Sequence, residues 1–144
     1  MSTLSESRGR IVETRENGSS ILWTYVPEMP TEDRRHSLPW LAVLAWPYDG
    51  SSRNGMPSLE VNESMLKLED VLGKIERHDF CVEAYRRVGG GRREFVFYLA
   101  DREQFLAELN SRTAGHERYP IDINFYRDES WSELQELIDD LGVA

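Results

Sequence analysis

Four arginines, Arg86, Arg87, Arg92 and Arg93, bracket three consecutive glycines, Gly89 to Gly91. Guanidinium forks beside residues that let a backbone come close suit an anion. The same charges suit a solvated hairpin end, and that plainer reading is preferred, because charge most often marks surface. The glycines do not form a phosphate loop. Such a loop opens a helix through Lys-Ser or Lys-Thr, and here an apolar strand follows, Phe95 to Ala100. Glu94 opens that strand beside Arg92 and Arg93, and an ion pair is the expected role for it.

The other reactive side chains stand apart. His36, His78 and His116 sit singly, and Cys81 is the one cysteine. Zinc sites draw on local ligand pairs, so neither metal nor cofactor is expected. Cys81 lies in Phe-Cys-Val, a setting for a small core residue. No Gly-x-Ser-x-Gly nucleophile elbow occurs. The carboxylate pairs Glu69-Asp70, Asp128-Glu129 and Asp139-Asp140 are adjacent in sequence. Neighbours on a helix diverge, so these pairs make poor acid and base partners.

Aromatic residues are abundant: Trp23, Tyr25, Trp40, Trp46, Tyr48, Tyr98 and Trp131 among them. Most are core filling. Several reaching one surface with Arg93 and Met56 would form a protein-binding patch, since Trp, Tyr and Arg lead such sites. The candidate binding set is therefore Trp46, Tyr48, Asn54, Met56, Arg93, Glu94 and Tyr98. It draws on the loop 48–57 and the strand after the glycine turn.

These residues need a frame, and the periodicities supply one. Residues 1–9 are polar and without period, and are read as frayed. Asn17-Gly18 between two β-prone runs predicts a hairpin over 10–27. Pro27 to Pro39 reads as a charged loop. Leu38 to Pro47 and Glu94 to Ala100 are apolar on both faces and predict central strands. Phe80 to Arg87 reads as a strand with one wet face or an edge strand, with Tyr85 and Arg87 on the side of Cys81. Val61, Met65, Leu68, Leu72 and Ile75 recur at helical spacing after a cap at Ser58 or Asn62. Asp101 caps a second helix that carries Phe105, Leu106 and Leu109 inward and ends at Gly115. Ile121, Ile123 and Phe125 alternate with Asp122, Asn124 and Tyr126 in a half-buried strand. Ser130 and Glu133 read as a capping box for a last helix over 130–141, with Trp131 its docking anchor and Gly142 its end.

From residue 38 the order is strand, helix, strand, strand, helix, strand. That is the split βαβ layout of a ferredoxin-like α+β fold, here with a plait core over 38–127, an added N-terminal hairpin and a C-terminal helix. Residues 1–144 make a single domain. Strands 38–47 and 94–100 are expected to be adjacent and parallel in the sheet centre.

The formal charge is −9, and residues 101–144 hold 11 acidic groups against 4 basic ones. Direct nucleic-acid binding needs a basic footprint, so it is not expected. A protein partner with a basic surface is. No apolar run reaches membrane-spanning length, the first residues lack the apolar core of a signal peptide, and a lone cysteine fits a reducing compartment. A cytoplasmic protein without membrane contact is expected.

Several of these residues together resemble a bacterial family known only as a domain of unknown function, DUF695. The matching pieces are Trp46-x-Tyr-Asp-Gly50, Asn54-Gly-Met-Pro57, Leu68-Glu-Asp-x-Leu72, Gly91-x-x-Glu-Phe-x-x-Tyr98, and Tyr119-Pro-Ile followed by Asp128-x-x-Trp131. The resemblance implies a small α+β plait domain and no established activity. A looser likeness, in layout and acidity alone, is to ribonuclease E activity regulator B. The functional expectation is a non-enzymatic acidic protein-binding module: an inhibitor, a regulator or an immunity protein. The alternative is a small-ligand domain or an enzyme, with a pocket between the loop 48–57 and the sheet lined by Trp46, Tyr48, Arg93 and Tyr98.

Overall fold

The computed structural model describes residues 9–142, so the expected frayed start, Gly9 apart, lies outside the described residues. Six strands form one sheet: β1 (Arg10–Glu16), β2 (Ser19–Tyr25), β3 (Trp40–Pro47), β4 (Cys81–Gly89), β5 (Arg92–Leu99) and β6 (Asp122–Arg127). Four helices accompany them: α1 (Glu32–Ser37), α2 (Leu59–Ile75), α3 (Arg102–Arg112) and α4 (Ser132–Leu141). The spatial order is β1-β2-β4-β5-β3-β6, and every neighbouring pair is antiparallel. The fold is thus mixed α+β.

β3 and β5 lie together in the sheet interior, as their apolar character requires, but they run antiparallel, with Val43 opposite Val96. The expected parallel pairing is corrected by connectivity. A helix crossover from β3 through α2 returns the chain to β4 in the same direction. The tight turn at Gly89 to Gly91 then reverses it, and β5 slots between β3 and β4. A strand between two parallel strands that is joined to one by a hairpin must oppose both.

The first face of the sheet is covered by α2 and α3. Met65, Leu68, Leu72, Ile75, Phe105 and Leu109 meet Ala42, Leu44, Trp46, Phe95, Phe97 and Leu99 there. Ser58 caps α2 through its side chain, and Asp101 caps α3. α3 stops at Arg112, with Thr113 rather than Gly115 at its end. The second face carries Leu41, Ala84, Val96 and Tyr98, covered by Leu38 and by Trp131 and Leu134 at the start of α4.

Two local readings change. The segment expected as a charged loop holds α1: Thr31 accepts from the Arg34 N–H, acidic Glu32 and Asp33 occupy the first turn, and Arg34, Arg35 and His36 the last. The charges complement the helix dipole although no apolar stripe announces the helix. β4 is neither an edge nor evenly alternating. It lies between β2 and β5, and a bulge between Glu83 and Tyr85 shifts its register. An extra residue flips the alternation, so Tyr85 pairs with Val96 and Arg87 with Glu94, and both share the second face with Ala84.

Candidate functional site

The candidate residues divide between the two faces because β5 alternates. Arg93 stands opposite Trp46 on the first face, and Tyr98 on the second. Trp46 and Tyr48 pack on the first face and Tyr98 on the second, so the two sets stand on opposite sides of the sheet. Trp46 is buried against Tyr119, ring centroids 5.6 Å apart. Arg93 donates to Glu69 of α2 at 2.9 Å, and Arg86 donates to the other oxygen of the same carboxylate at 2.6 Å. This Arg-Glu-Arg bridge ties β4 and β5 to the helix layer. Tyr48 donates its hydroxyl to Gly55 O at 2.5 Å and its N–H to Gly91 O at 2.9 Å. Asn54 ends a 3-10 turn in the left-handed region, φ 54°. Met56 beside it is half-buried. Of these five residues it is Tyr48 that holds the loop to the glycine turn.

Glu94 and Tyr98 belong to the second face. Tyr98 stacks on Trp131 and donates to Asp128 at 2.6 Å. Glu94 pairs with Arg92 at 3.4 Å, as expected. Here the sheet opens into a groove of about 430 Å³ lined by Leu41, Val43, Tyr85, Glu94, Tyr126 and Glu133, among others. Leu41 and Val43 give an apolar floor. Tyr126 stands at the edge strand and is 53% exposed. Glu94 and Glu133 bring negative charge to the groove, beside Arg127, which lines it too, and Arg92, which pairs with Glu94. Burial, and then the charges of Glu94 and Glu133, push the Tyr85 hydroxyl up. Burial, and then Glu136 and Asp128, raise the Glu133 carboxyl. Asp128 itself is fully occupied: one oxygen accepts from the Ser132 N–H and hydroxyl, the other from Tyr98 and the Glu133 N–H. Asp128 therefore replaces the expected cap at Ser130, and α4 begins at Ser132 with Trp131 as its cap residue.

A second concavity, about 670 Å³ and open, lies at one end of the sheet between Glu16, Asn17 and Ser19, the loop at Gly50, Ser51 and Gly55, and Arg87, Gly90, Gly91 and Arg92. It sits where the alternative pocket was expected, but none of Trp46, Tyr48, Arg93 and Tyr98 lines it.

Sequence reasoning missed Tyr85, Tyr126 and Glu133 as groove residues. The bulge hid the face of Tyr85. The alternation of β6 did place Tyr126 outward, yet nothing in the sequence put it beside α4.

Cys81 is buried and burial pushes its thiol up, which leaves it a core residue rather than a nucleophile. His116 contacts the Tyr119 hydroxyl at 2.7 Å. Among the described residues no three His, Cys, Asp or Glu side chains gather as a metal site, and no helix is long and apolar enough to cross a membrane.

No curated protein and no solved structure matches the chain. Residues 13–137, most of the chain, match the family described as a family of unknown function, DUF695. The resemblance drawn from the pieces at Trp46, Asn54, Leu68, Gly91 and Asp128 is thus shown, and the chain is a member of the DUF695 family.

Proposed function

We propose that the protein is a non-enzymatic, acidic protein-binding module of the cytoplasm, which holds a basic segment of a partner in the groove on the second sheet face. The observation that carries this is the pairing of an apolar floor, Leu41 and Val43, with Glu94 and Glu133 at its sides. A Lys or Arg side chain lays its methylenes on such a floor and its charge against the carboxylates. Tyr85 and Tyr126 add ring faces for the cation. Glu136, Asp139 and Asp140 on α4 are exposed and extend the negative surface, which steers a basic partner toward the groove. An inhibitor, a regulator or an immunity protein would each use a surface of this kind.

The core β3-α2-β4-β5-α3-β6 is read, further, as a ferredoxin-like split βαβ plait, with the β1-β2 hairpin and α4 as additions. The inner order β4-β5-β3-β6 supports that reading.

The test is affinity capture from native lysate with wild-type protein, Glu133→Lys, and Glu63→Lys on the exposed side of α2 as a charge control. A protein retained by wild type and Glu63→Lys, lost with Glu133→Lys, and released by salt supports the reading. Equal capture by all three, or none by wild type, removes it.

A further inference from the structure

Three turns meet at the open basin at the end of the sheet. The Gly91 N–H donates to Gly55 O at 3.0 Å, and the Gly55 N–H donates to Gly50 O at 2.8 Å. The packing tolerates no side chain at two of these glycines: a Cβ on Gly50 would lie 2.7 Å from the Gly55 carbonyl carbon, and one on Gly55 2.9 Å from the Gly90 nitrogen. The backbone on this side of the basin is therefore bare and fixed.

Arg87 stands in the wall of this basin with its side chain only 6% exposed. A guanidinium removed from water needs its donors satisfied and its charge countered. Arg87 is served poorly on both counts. Nη2 donates to Gly89 O at 2.9 Å, Nε is buried without a partner, and Nη1 faces Glu16 Oε2 at 3.7 Å, beyond hydrogen-bond length. Glu16 is 54% exposed, so it is a loose counter-ion held at the end of an edge strand. Trp23 supplies a ring face 5.4 Å away, which eases the charge but fills no donor. A second cation, Arg92, lines the same basin; it is half-exposed and keeps free donors beyond its 3.4 Å contact through Nε with Glu94.

We propose that this basin is an oxyanion site, and that it takes the phosphate group of a small phosphate monoester or inorganic phosphate. Independently of the partner reading above, Arg87 is its principal contact, Arg92 its second cation, and Glu16 a carboxylate that the ligand displaces. Phosphate suits the site better than another carboxylate. It carries nearly two charges and three acceptor oxygens in one compact group, whereas Glu16 already offers a carboxylate and leaves Arg87 underserved. The basin exceeds the size of a bare phosphate, which leaves room for the body of an ester.

The experiment is an amide NMR titration of the full chain with inorganic phosphate and with phenyl phosphate, against sodium chloride at matched ionic strength. Saturable shifts are expected at Asn17, Gly55, Gly90 and Gly91. Glu16→Gln is expected to tighten binding about fivefold, the effect of removing one unit charge at about 4 Å in water. Arg92→Gln weakens it, and Arg87→Gln abolishes it. Tighter binding of phenyl phosphate identifies an ester as ligand and equal binding identifies free phosphate; both support the site. Shifts that follow ionic strength alone, or titrations unchanged in Glu16→Gln and Arg92→Gln, overturn it. Those two variants alter exposed side chains and decide the matter even if Arg87→Gln fails to fold.

Discussion

Tyr98 and Trp131 lie face to face, their ring centroids 4.0 Å apart and their planes 5° from parallel. Around this stack the chain ties itself. Trp131 donates its indole N–H to Leu38 O at 3.0 Å, Tyr98 donates to Asp128, and the Asp128 N–H donates to Pro39 O at 2.9 Å. The stack also holds Trp131 in the left-handed region, φ 59°, where a bulky residue costs on the order of 1–3 kcal/mol. The helix α4, the strand β5 and the entry to β3 are thereby closed into one unit, and that unit forms one end of the acidic groove.

Replacing Trp131 by Ala is therefore expected to cost about 3–5 kcal/mol and to lower the melting temperature by on the order of 10 °C. Hydrogen exchange should quicken throughout 132–141. A melting curve that overlays wild type would place the side chain outside the core after all.

Asp128→Asn tests the cap of α4. Burial alone would raise this carboxyl. Hydrogen bonds from Tyr98, from the Glu133 and Ser132 amides and from the Ser132 hydroxyl outweigh it and hold the pKa below the usual range. A depressed carboxylate stabilises the fold above its ordinary pKa, near 3.8, and that contribution fades as pH falls through the lower folded value. The Asn variant should lose about 1–2 kcal/mol at neutral pH, and the gap to wild type should shrink as pH falls below 3.8. Denaturant melts at several pH values measure it, and a gap that stays constant with pH would exclude the ionised cap.

Much of this frame is legible in the sequence. The Asn17-Gly18 turn, the Ser58 and Asp101 caps and the stripe of α2 are local signals, and local signals survive folding when packing agrees with them. The strands β3 and β5 were placed inside the sheet by two apolar faces. What failed was non-local or subtle. The direction of β5 against β3 follows from connectivity, not composition. The bulge at Ala84 leaves no mark in a run of plausible strand residues. The cap at Asp128 lies three residues before Trp131, where the Ser130 and Glu133 spacing offered a false capping box. For the site, the expected Glu94 ion pair formed, while Trp46 fills the core, Tyr48 ties the loop to the glycine turn and Asn54 closes a 3-10 turn.

The two hairpin turns should differ sharply in their need for glycine. Gly18 has φ 84° with open space about its Cα, whereas a Cβ on Gly89, φ 138°, would lie 2.3 Å from Ser20 O. Gly18→Ala costs only the strain of the backbone angle, roughly 1–2 kcal/mol. Gly89→Ala must also push β2 from β4 and should cost several times more. Equal losses in urea melts would mean that β2 is not pinned at this turn.

Glu83 gives the pH dependence an opposite sign to that of Asp128. It lies half-buried on β4, and burial, then the charges of Glu76 and Glu69, push its carboxyl up to about 7 against the pull of Arg86 and Arg93. Between its ordinary value of 4.5 and about 7, the folded chain keeps a proton that the unfolded chain has released. Folding is thus favoured most below that window and weakened as pH rises through it. Glu83→Gln removes the carboxylate while keeping its shape. The variant should match wild type near pH 4.5 and be more stable at pH 8, with a flatter stability profile between. Parallel profiles for the two proteins across that range would show that Glu83 ionises without strain, and that Arg86, already shared with Glu69, compensates its charge in full.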